Sequence, residues 1–371
     1  MEVEKSEVKN KTVGEYMKLG IICTMINGFG RRGYYNTQEI GLGRELERQG
    51  HEVTIYKCVK KTGGESIERV KLGNTLSILY IPVSSFGAHG CLDTAVLSTD
   101  LDAVLCFADN QIFLPHIYRF CARHEIRMVP YIGKTHSSSG GVHGFAMNTL
   151  FHLGTLRWFR RGPAISKIEE VRQELLQLGV KDVKVAPVGL DFSVMKSDFA
   201  AYDRAALRRE FGLLPEDMVI CTVGRMGSEK NPLDLVEIYQ QVREQKPCKL
   251  LLVGEGTQSE DLKTKIAASK WKSDIVLIDR IPNDQIWKVY ATADYFVNLC
   301  RTEIFGMAIL EAMYYGVSVA ALAAPGPSVT LRDMPGHKLC SSYEEIRDWL
   351  LAEHPAQEQL RESAARTVQL Y

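Results

Sequence analysis

Asp294-Tyr295-Phe296-Val297-Asn298-Leu299 is an apolar run that reads as a buried strand, and Glu303-Ile304-Phe305-Gly306-Met307-Ala308-Ile309-Leu310-Glu311-Ala312-Met313 follows it. From Met307 to Tyr315 the apolar residues recur with helical spacing. Glu303 is therefore expected on the loop at the carboxyl end of a strand, and Gly306 at or near the N-terminus of the next helix. Glu311 falls a little over one turn inside that helix, roughly 8 Å along its axis. A helix N-terminus offers free N–H groups and a positive dipole end to an anion. A carboxylate on either side can accept hydrogen bonds from hydroxyl groups. An anion flanked by two polyols describes a nucleotide sugar: diphosphate in the middle, ribose and sugar at the ends. Either glutamate alone reads as a solvated surface residue. The unit of strand, Glu303, Phe305-Gly306, helix and Glu311 carries the functional reading.

The surrounding pattern alternates short apolar strands with amphipathic helices, the mark of parallel α/β sheets. In the first half, strands are expected at 19–25, 52–57, 77–82, 103–107, 127–132, 163–166 and 183–187. A helix from Thr37 to Gln49 should end at Gly50. The rhythm lapses from Gly189 through Met218, where the arginine-rich stretch Asp203 to Phe211 reads as a connection. Alternation resumes with strands at 218–223, 248–253, 275–278, 294–298 and 317–320. The fold class is thus α/β, two doubly wound Rossmann-like domains facing each other across a cleft. The first domain should span 17–191 and the second 192–371, with residues 1–16 a disordered or added extension.

With 371 residues, the chain is long enough for two cores and too long for one ordinary domain. Its 45 basic and 45 acidic residues cancel, which argues against a nucleic-acid partner bound by bulk electrostatics. Nine cysteines lie scattered in apolar contexts without C-x-x-C spacing, as in a reduced cytosolic protein. No run approaches the ~18 apolar residues that span a bilayer. The charged stretch Met1 to Lys11 does not read as a signal peptide. A cytoplasmic location follows, with peripheral contact at the inner membrane face left open by Thr155-Leu156-Arg157-Trp158-Phe159-Arg160-Arg161. Packing within the first domain is the favoured reading of that segment.

Two further loops carry chemistry. Val223-Gly224-Arg225-Met226-Gly227-Ser228-Glu229-Lys230-Asn231-Pro232 follows a strand and precedes a helix whose start is marked by Asn231 and Pro232. Arg225 can fork onto two phosphate oxygens, and Lys230 can act as a point charge on a leaving diphosphate. The first loop, Asn27-Gly28-Phe29-Gly30-Arg31-Arg32-Gly33, contains the Gly-x-Gly-x-x-Gly dinucleotide pattern. A nicotinamide enzyme would want an acid at the end of the second strand, but that strand ends at Lys57, with Lys60 and Lys61 nearby. An NADP-linked oxidoreductase is therefore the rival, against a glycine loop that lets a ligand approach the backbone. Asp100-Leu101-Asp102 precedes a strand rather than ending one, and reads as a turn instead of a metal site.

These motifs resemble the nucleotide-sugar-dependent glycosyltransferases of the large group-1 type (family 4), which have the two-domain GT-B fold. Val-Gly-Arg-x-x-x-Glu-Lys-x-Pro is similar to the family's donor-phosphate loop, Leu251-Leu252-Val253-Gly254-Glu255-Gly256 to its glycine turn, and Glu303 to Glu311 to its Glu-x7-Glu signature. The likeness covers roughly 17–325 and is specific over 219–316. It implies that Arg225 and Lys230 hold the diphosphate and that Glu311 binds ribose. Glu303 would bind the transferred sugar with backbone from Ile304, Phe305, Gly306 and Met307. Gly28, Gly30 and Gly254 would line the donor, and the backbone at Arg280 and Ile281 would meet the base. The resemblance also implies retention of anomeric configuration, with no metal and no cofactor, the nucleotide sugar being a substrate. His136, on the loop Tyr131 to Ser137 at the end of a first-domain strand, would face the sugar and polarise a hydroxyl. Family members often have Pro-Ser where Leu299-Cys300 stands here. The chain stops at Tyr371, which leaves little for the terminal helix that in the family crosses back to the first domain. The enzyme implied is a retaining glycosyltransferase, UDP favoured as nucleotide, with a hydroxyl-bearing acceptor as second partner. A catalytically silent sugar-nucleotide sensor is the third alternative.

Overall fold

A computed structural model describes residues 15–26, 38–109, 111–137, 141–195, 202–352 and 357–370. The chain parts into two units with the break between Gly189 and Leu190. The sequence rhythm had set it two residues later.

In the first unit the strands are β1 (Lys18–Cys23), β2 (Glu52–Lys60), β3 (Glu68–Lys71), β4 (Leu76–Val83), β5 (Ser85–Phe86), β6 (His89–Gly90), β7 (Ala103–Phe107), β8 (Arg127–Ile132), β9 (Ala164–Ser166) and β10 (Val183–Val185). The main sheet runs β10-β9-β8-β7-β1-β2-β4-β3. Its pairings are parallel except for β3 on β4. Strand β2 runs to Lys60, three residues past the expected end. The edge strand β3 and the small hairpin β5–β6 were not anticipated, because Glu68-Arg69-Val70-Lys71 has no apolar run and lies mostly exposed. Helix Gln38–Arg48 ends as the glycine at 50 demands. Gly50 takes φ +92°, and its N–H and that of His51 close onto the Glu47 and Leu46 carbonyls. Asp100 and Asp102 form the expected turn and anchor the start of β1, Asp102 accepting from the Lys18 N–H at 2.8 Å.

The second unit holds β11 (Val219–Val223), β12 (Lys249–Val253), β13 (Ile275–Ile278), β14 (Tyr295–Asn298), β15 (Ser318–Leu322) and β16 (Lys338–Cys340), in the order β13-β12-β11-β14-β15-β16 and all parallel. Strands β14 and β15 are buried along their whole length, which is why they read as unbroken apolar runs. From β11 the chain winds outward through β12 and β13, then returns to the other side of β11 as β14. That reversal is the topological switch point where α/β sheets bind ligands, outside the carboxyl ends of the strands. The loops after β11 and β14 therefore lie side by side.

The stretch 203–211 is a correction. It is the helix Arg204–Glu210, capped by the Asp203 carboxylate and built into the second unit. Arg204 and Arg208 both pair with Asp294, at 2.7 and 2.8 Å, and Arg208 also donates to the carbonyls of Thr292 and Pro215. Asp294 in turn accepts from the Val219 N–H at 2.7 Å, so this cluster, with Arg208 buried at its centre, fixes the start of β11 beside that of β14. Helix Gln357–Leu370 packs along helix Met307–Tyr314 within the same unit. Among the described residues no helix is long and apolar enough to cross a membrane.

Candidate functional site

The glycines at the carboxyl edge of the second sheet let two loops lie against each other. Gly254 has φ +139°, and a Cβ there would fall onto the Gly224 carbonyl oxygen. A Cβ on Gly256 would lie 2.5 Å from the Met226 backbone. Backbone bonds stitch the same contact: Gly224 N–H to Val253 O, Met226 N–H to Glu255 O and Gln258 N–H to Met226 O. The Gly-Arg loop and the glycine turn are thus one packed surface, and a side chain at 254 would break it.

After β11 the chain makes a short 3-10 turn, Ser228–Lys230, and enters helix Pro232–Arg243. The helix start is where the sequence placed it, but Asn231 does not cap it by side chain. Asn231 sits in the left-handed region at φ +50°, and its amide donates to the Leu299 carbonyl at 3.0 Å, tying the loop to that after β14. This brings Lys230 onto Glu303. Their ammonium and carboxylate form an ion pair with side chains only 29 % and 16 % exposed. The Asn298 amide donates to the same Glu303 oxygen at 3.2 Å, while its carbonyl accepts from the Cys300 N–H at 2.8 Å.

Gly306 is the left-handed residue, φ +86° and ψ +60°, that turns the chain into helix Met307–Tyr314. The turn is held from below: the Gly326 N–H donates to the Glu303 carbonyl at 2.8 Å, and Gly326 lies so close that a Cβ would come within 2.6 Å of the Phe305 nitrogen. The segment Ile304-Phe305-Gly306-Met307 therefore rests on the start of helix Pro325–Thr330, with the first N–H groups of its own helix at the sheet edge. One turn on, the Glu311 carboxylate accepts from the Tyr290 phenol at 2.7 Å. Burial, reinforced by that carboxylate, pushes the Tyr290 hydroxyl well above its ordinary pKa, so it stays a donor. The pair borders a small open cleft also lined by Asp191, Asn283, Trp287 and Tyr315.

Of the expected site residues, the structure joins Lys230 to Glu303 and sets Gly254, Gly306 and Glu311 on neighbouring loops and the helix they lead into. Arg225 turns to Glu229 at 2.8 Å, with its side chain 62 % exposed, rather than to Glu303. Arg280, at the end of β13 beside half-buried Ile281, pairs through its side chain with Glu255, where the sequence reading had used only backbone. His136 is exposed on the loop after β8 in the first unit. That loop is anchored on both sides of it: Asp109 accepts from Gly133 and Lys134 N–H and pairs with Lys167 at 2.9 Å, and Ser137 N–H donates to Asn148 at 2.7 Å. Gly28, Gly30 and Gly33 lie outside the described residues. Lys57, where the second strand was expected to end, is buried against Glu39, whereas Lys60 and Lys61, the lysines suited to a cofactor phosphate, are exposed. Sequence reasoning missed Asn231's tether, Asn298, Glu229, Glu255, Tyr290 and Gly326. Asn298 alone carried a signal, a polar residue closing an apolar run at a sheet's carboxyl edge. Among the described residues no three His, Cys, Asp or Glu side chains gather to hold a metal ion.

Residues 203–366 match the family model of the glycosyl transferases group 1. The chain is 31 % identical over 170 residues to D-inositol 3-phosphate glycosyltransferase of Segniliparus rotundus, covering 44 % of this chain and 37 % of that protein. It is 23 % identical over 299 residues to alpha-monoglucosyldiacylglycerol synthase of Streptococcus pneumoniae, covering 76 % and 66 %. The matches thus span less than two thirds of each relative's length. Among solved structures, sucrose-phosphate synthase from Thermosynechococcus elongatus superposes with TM-score 0.71 at 14 % identity, over 95 % of both chains. Anabaena HepE in complex with UDP and glucose does so with TM-score 0.68 at 14 % identity, over 96 % of this chain and 95 % of that one. These likenesses establish the fold as GT-B.

Proposed function

From a GT-B chain whose second unit carries the group 1 glycosyl transferase module, we propose a retaining, metal-independent transfer of a sugar from a nucleoside diphosphate sugar, UDP favoured, to an acceptor hydroxyl. The acceptor class is a glycan, a glycolipid or a small molecule, met in the cytoplasm or at the inner face of the membrane. The observation that carries the reading is the meeting of Lys230, Asn298 and Glu303 at the switch point of the second sheet, on the loop that leads into the helix bearing Glu311 in its second turn.

In this reading Lys230 and Arg225 neutralise the diphosphate beside the N-terminus of helix Met307–Tyr314, Glu303 holds hydroxyls of the transferred sugar and Glu311 those of ribose. Both signature glutamates are engaged, Glu303 with Lys230 and Glu311 with Tyr290, and in this reading neither is the nucleophile. The reading therefore takes front-face substitution. The acceptor oxygen bonds to the anomeric carbon as its bond to the phosphate oxygen breaks. The hydroxyl proton passes to the departing diphosphate, whose charge the cations and the helix end stabilise. His136 is assigned to polarising the acceptor hydroxyl.

Thermal-shift titration with UDP-, GDP-, ADP- and dTDP-sugars tests the donor class. Glu311→Ala should abolish donor binding, whereas His136→Ala should leave binding intact and slow transfer. Unchanged turnover in both variants refutes the assignment. Stabilisation by NADPH and by none of the sugar nucleotides would transfer it to the oxidoreductase.

A further inference from the structure

In the first unit, helix Gly141–Leu150 continues through a π-helical turn, Phe151–Thr155, into helix Leu156–Phe159. This rod is apolar on two sides. Met147, Phe151, Leu156 and Phe159 are buried in the unit. Val142, Phe145, Leu150 and Leu153 point the other way, 87 %, 74 %, 51 % and 73 % exposed. A surface helix ordinarily turns polar residues outward, so an apolar outer stripe on a helix already packed inward is a docking surface.

The chemistry beside the stripe says what it fits. Residues 141–168 contain no aspartate or glutamate, and Arg157, Arg160 and Arg161 are exposed just beyond its end. Arg161 lies over the Trp158 ring at 4.5 Å and Arg157 at 5.8 Å, while Trp158 stacks on Tyr118. Bulky apolar side chains, then an aromatic, then arginines is the gradient met on passing from acyl chains to headgroup phosphates. A protein partner would need an acidic rim around an apolar groove; an anionic bilayer offers both features along one plane.

We propose that this face docks the protein peripherally on an anionic lipid surface. Val142, Phe145, Leu150 and Leu153 enter the acyl boundary, and Arg157, Arg160 and Arg161 meet the phosphates. The same rod bears Asn148, whose side chain holds the Ser137 N–H next to His136, so the docked face is joined to that loop by a hydrogen bond. Docking needs no sugar nucleotide, and its failure is thus separable from that of the transferase reading.

The test is co-sedimentation of the full chain with phosphatidylcholine vesicles, with and without phosphatidylglycerol, at low and high salt. The wild-type protein should bind the mixed vesicles and release at high salt. Phe145→Ser with Leu153→Ser should weaken binding on the order of a hundredfold. Arg157→Gln with Arg161→Gln should weaken it at least about tenfold and flatten the salt dependence. All four side chains are outward-facing or half-exposed, so circular dichroism and melting should match wild type. No binding of the wild-type chain to mixed vesicles overturns the proposal, as does wild-type binding by either variant. Lipid-free self-association in sedimentation velocity, abolished by the two serines, also overturns it and makes the face a protein interface.

Discussion

Glu303→Gln should move two affinities in opposite directions. The Glu303 carboxylate is the partner of Lys230 and sits with little solvent around it. Inorganic pyrophosphate placed on Lys230 must approach that carboxylate and gains nothing from it. With an effective dielectric of about 40 and a separation of about 6 Å, the repulsion between two unit charges is about 1.4 kcal/mol, a tenfold change in affinity. Glutamine is isosteric, keeps a carbonyl to accept from Asn298, and removes the charge. Pyrophosphate should therefore bind the variant about tenfold more tightly. In the proposed reading a sugar nucleotide loses the charged acceptor for its sugar hydroxyls, worth about 1.5–3 kcal/mol, and after the electrostatic gain of about 1.4 kcal/mol is subtracted it should bind more weakly, by up to about fifteenfold. Lys230→Met should weaken both ligands. Isothermal titration of pyrophosphate and of the preferred sugar nucleotide against the three proteins reads these signs directly. Affinities that fall together in Glu303→Gln would refute the reasoning, because the carboxylate would then be supporting the phosphate site and not competing for its cation.

Three other outcomes follow from geometry elsewhere. Tyr290→Phe removes only the phenol that holds Glu311, so binding of a nucleoside diphosphate should fall about tenfold. Discrimination against its 2′-deoxy form should shrink, and pyrophosphate binding should stay unchanged; equal discrimination in variant and wild type would dismiss Tyr290 as a positioning residue. Gly254→Ala places a methyl on the Gly224 carbonyl at φ +139°, and should cost about 4 kcal/mol or more in denaturant unfolding, whereas Gly162→Ala, which meets nothing, should stay within about 0.5 kcal/mol. His337 is half-buried, accepting from the Val319 N–H at 3.0 Å and bonded through Nε2 to Ser363 at 2.6 Å, and burial lowers its pKa from 6.5 to about 4. The unfolded chain then binds the proton first as pH falls. Stability is fully present above 6.5 and drains between 6.5 and 4, by about 2 kcal/mol at pH 5. Unfolding at pH 7 and 5 should show that loss in wild type and its disappearance in His337→Asn.

The sequence pattern was most legible where local chemistry and burial agree. Strand β14 is apolar because both its faces are covered, and Gly306 is glycine because the turn into the next helix needs a positive φ. Those two facts place Glu303 and Glu311 without any tertiary information. What each carboxylate touches was out of reach, since Lys230 is 73 residues from Glu303 and Tyr290 is 21 from Glu311, on other elements. The arginine-rich helix at 204–210 was misread for the opposite reason. A run of cations looks solvated in one dimension, and only the fold supplies Asp294 to neutralise Arg208 where water is excluded. Strands β3 and β16 escaped because each is short and mostly exposed, so neither writes an apolar run.

The internal pairs of the site also bear on selectivity. Arg225 is occupied by Glu229, Arg280 by Glu255 and Lys230 by Glu303, so the cations nearest the glycine loops are already neutralised. The exposed Arg225 pair is worth at most about 1 kcal/mol and exchanges readily for phosphate. The Lys230–Glu303 pair is drier and harder to part, and the Tyr290–Glu311 bond has a wholly buried donor. A bare phosphate that takes Lys230 leaves the Glu303 carboxylate with one amide in place of a cation. A ligand that brings a hydroxyl to Glu303 restores that bond as it takes the cation, and a second hydroxyl can add to Glu311 while Tyr290 still holds it. In the proposed reading, selectivity for sugar and ribose together over phosphate alone then comes from an ion pair, Lys230–Glu303, that must be replaced in kind, and from the repulsion between the released carboxylate and a bare phosphate.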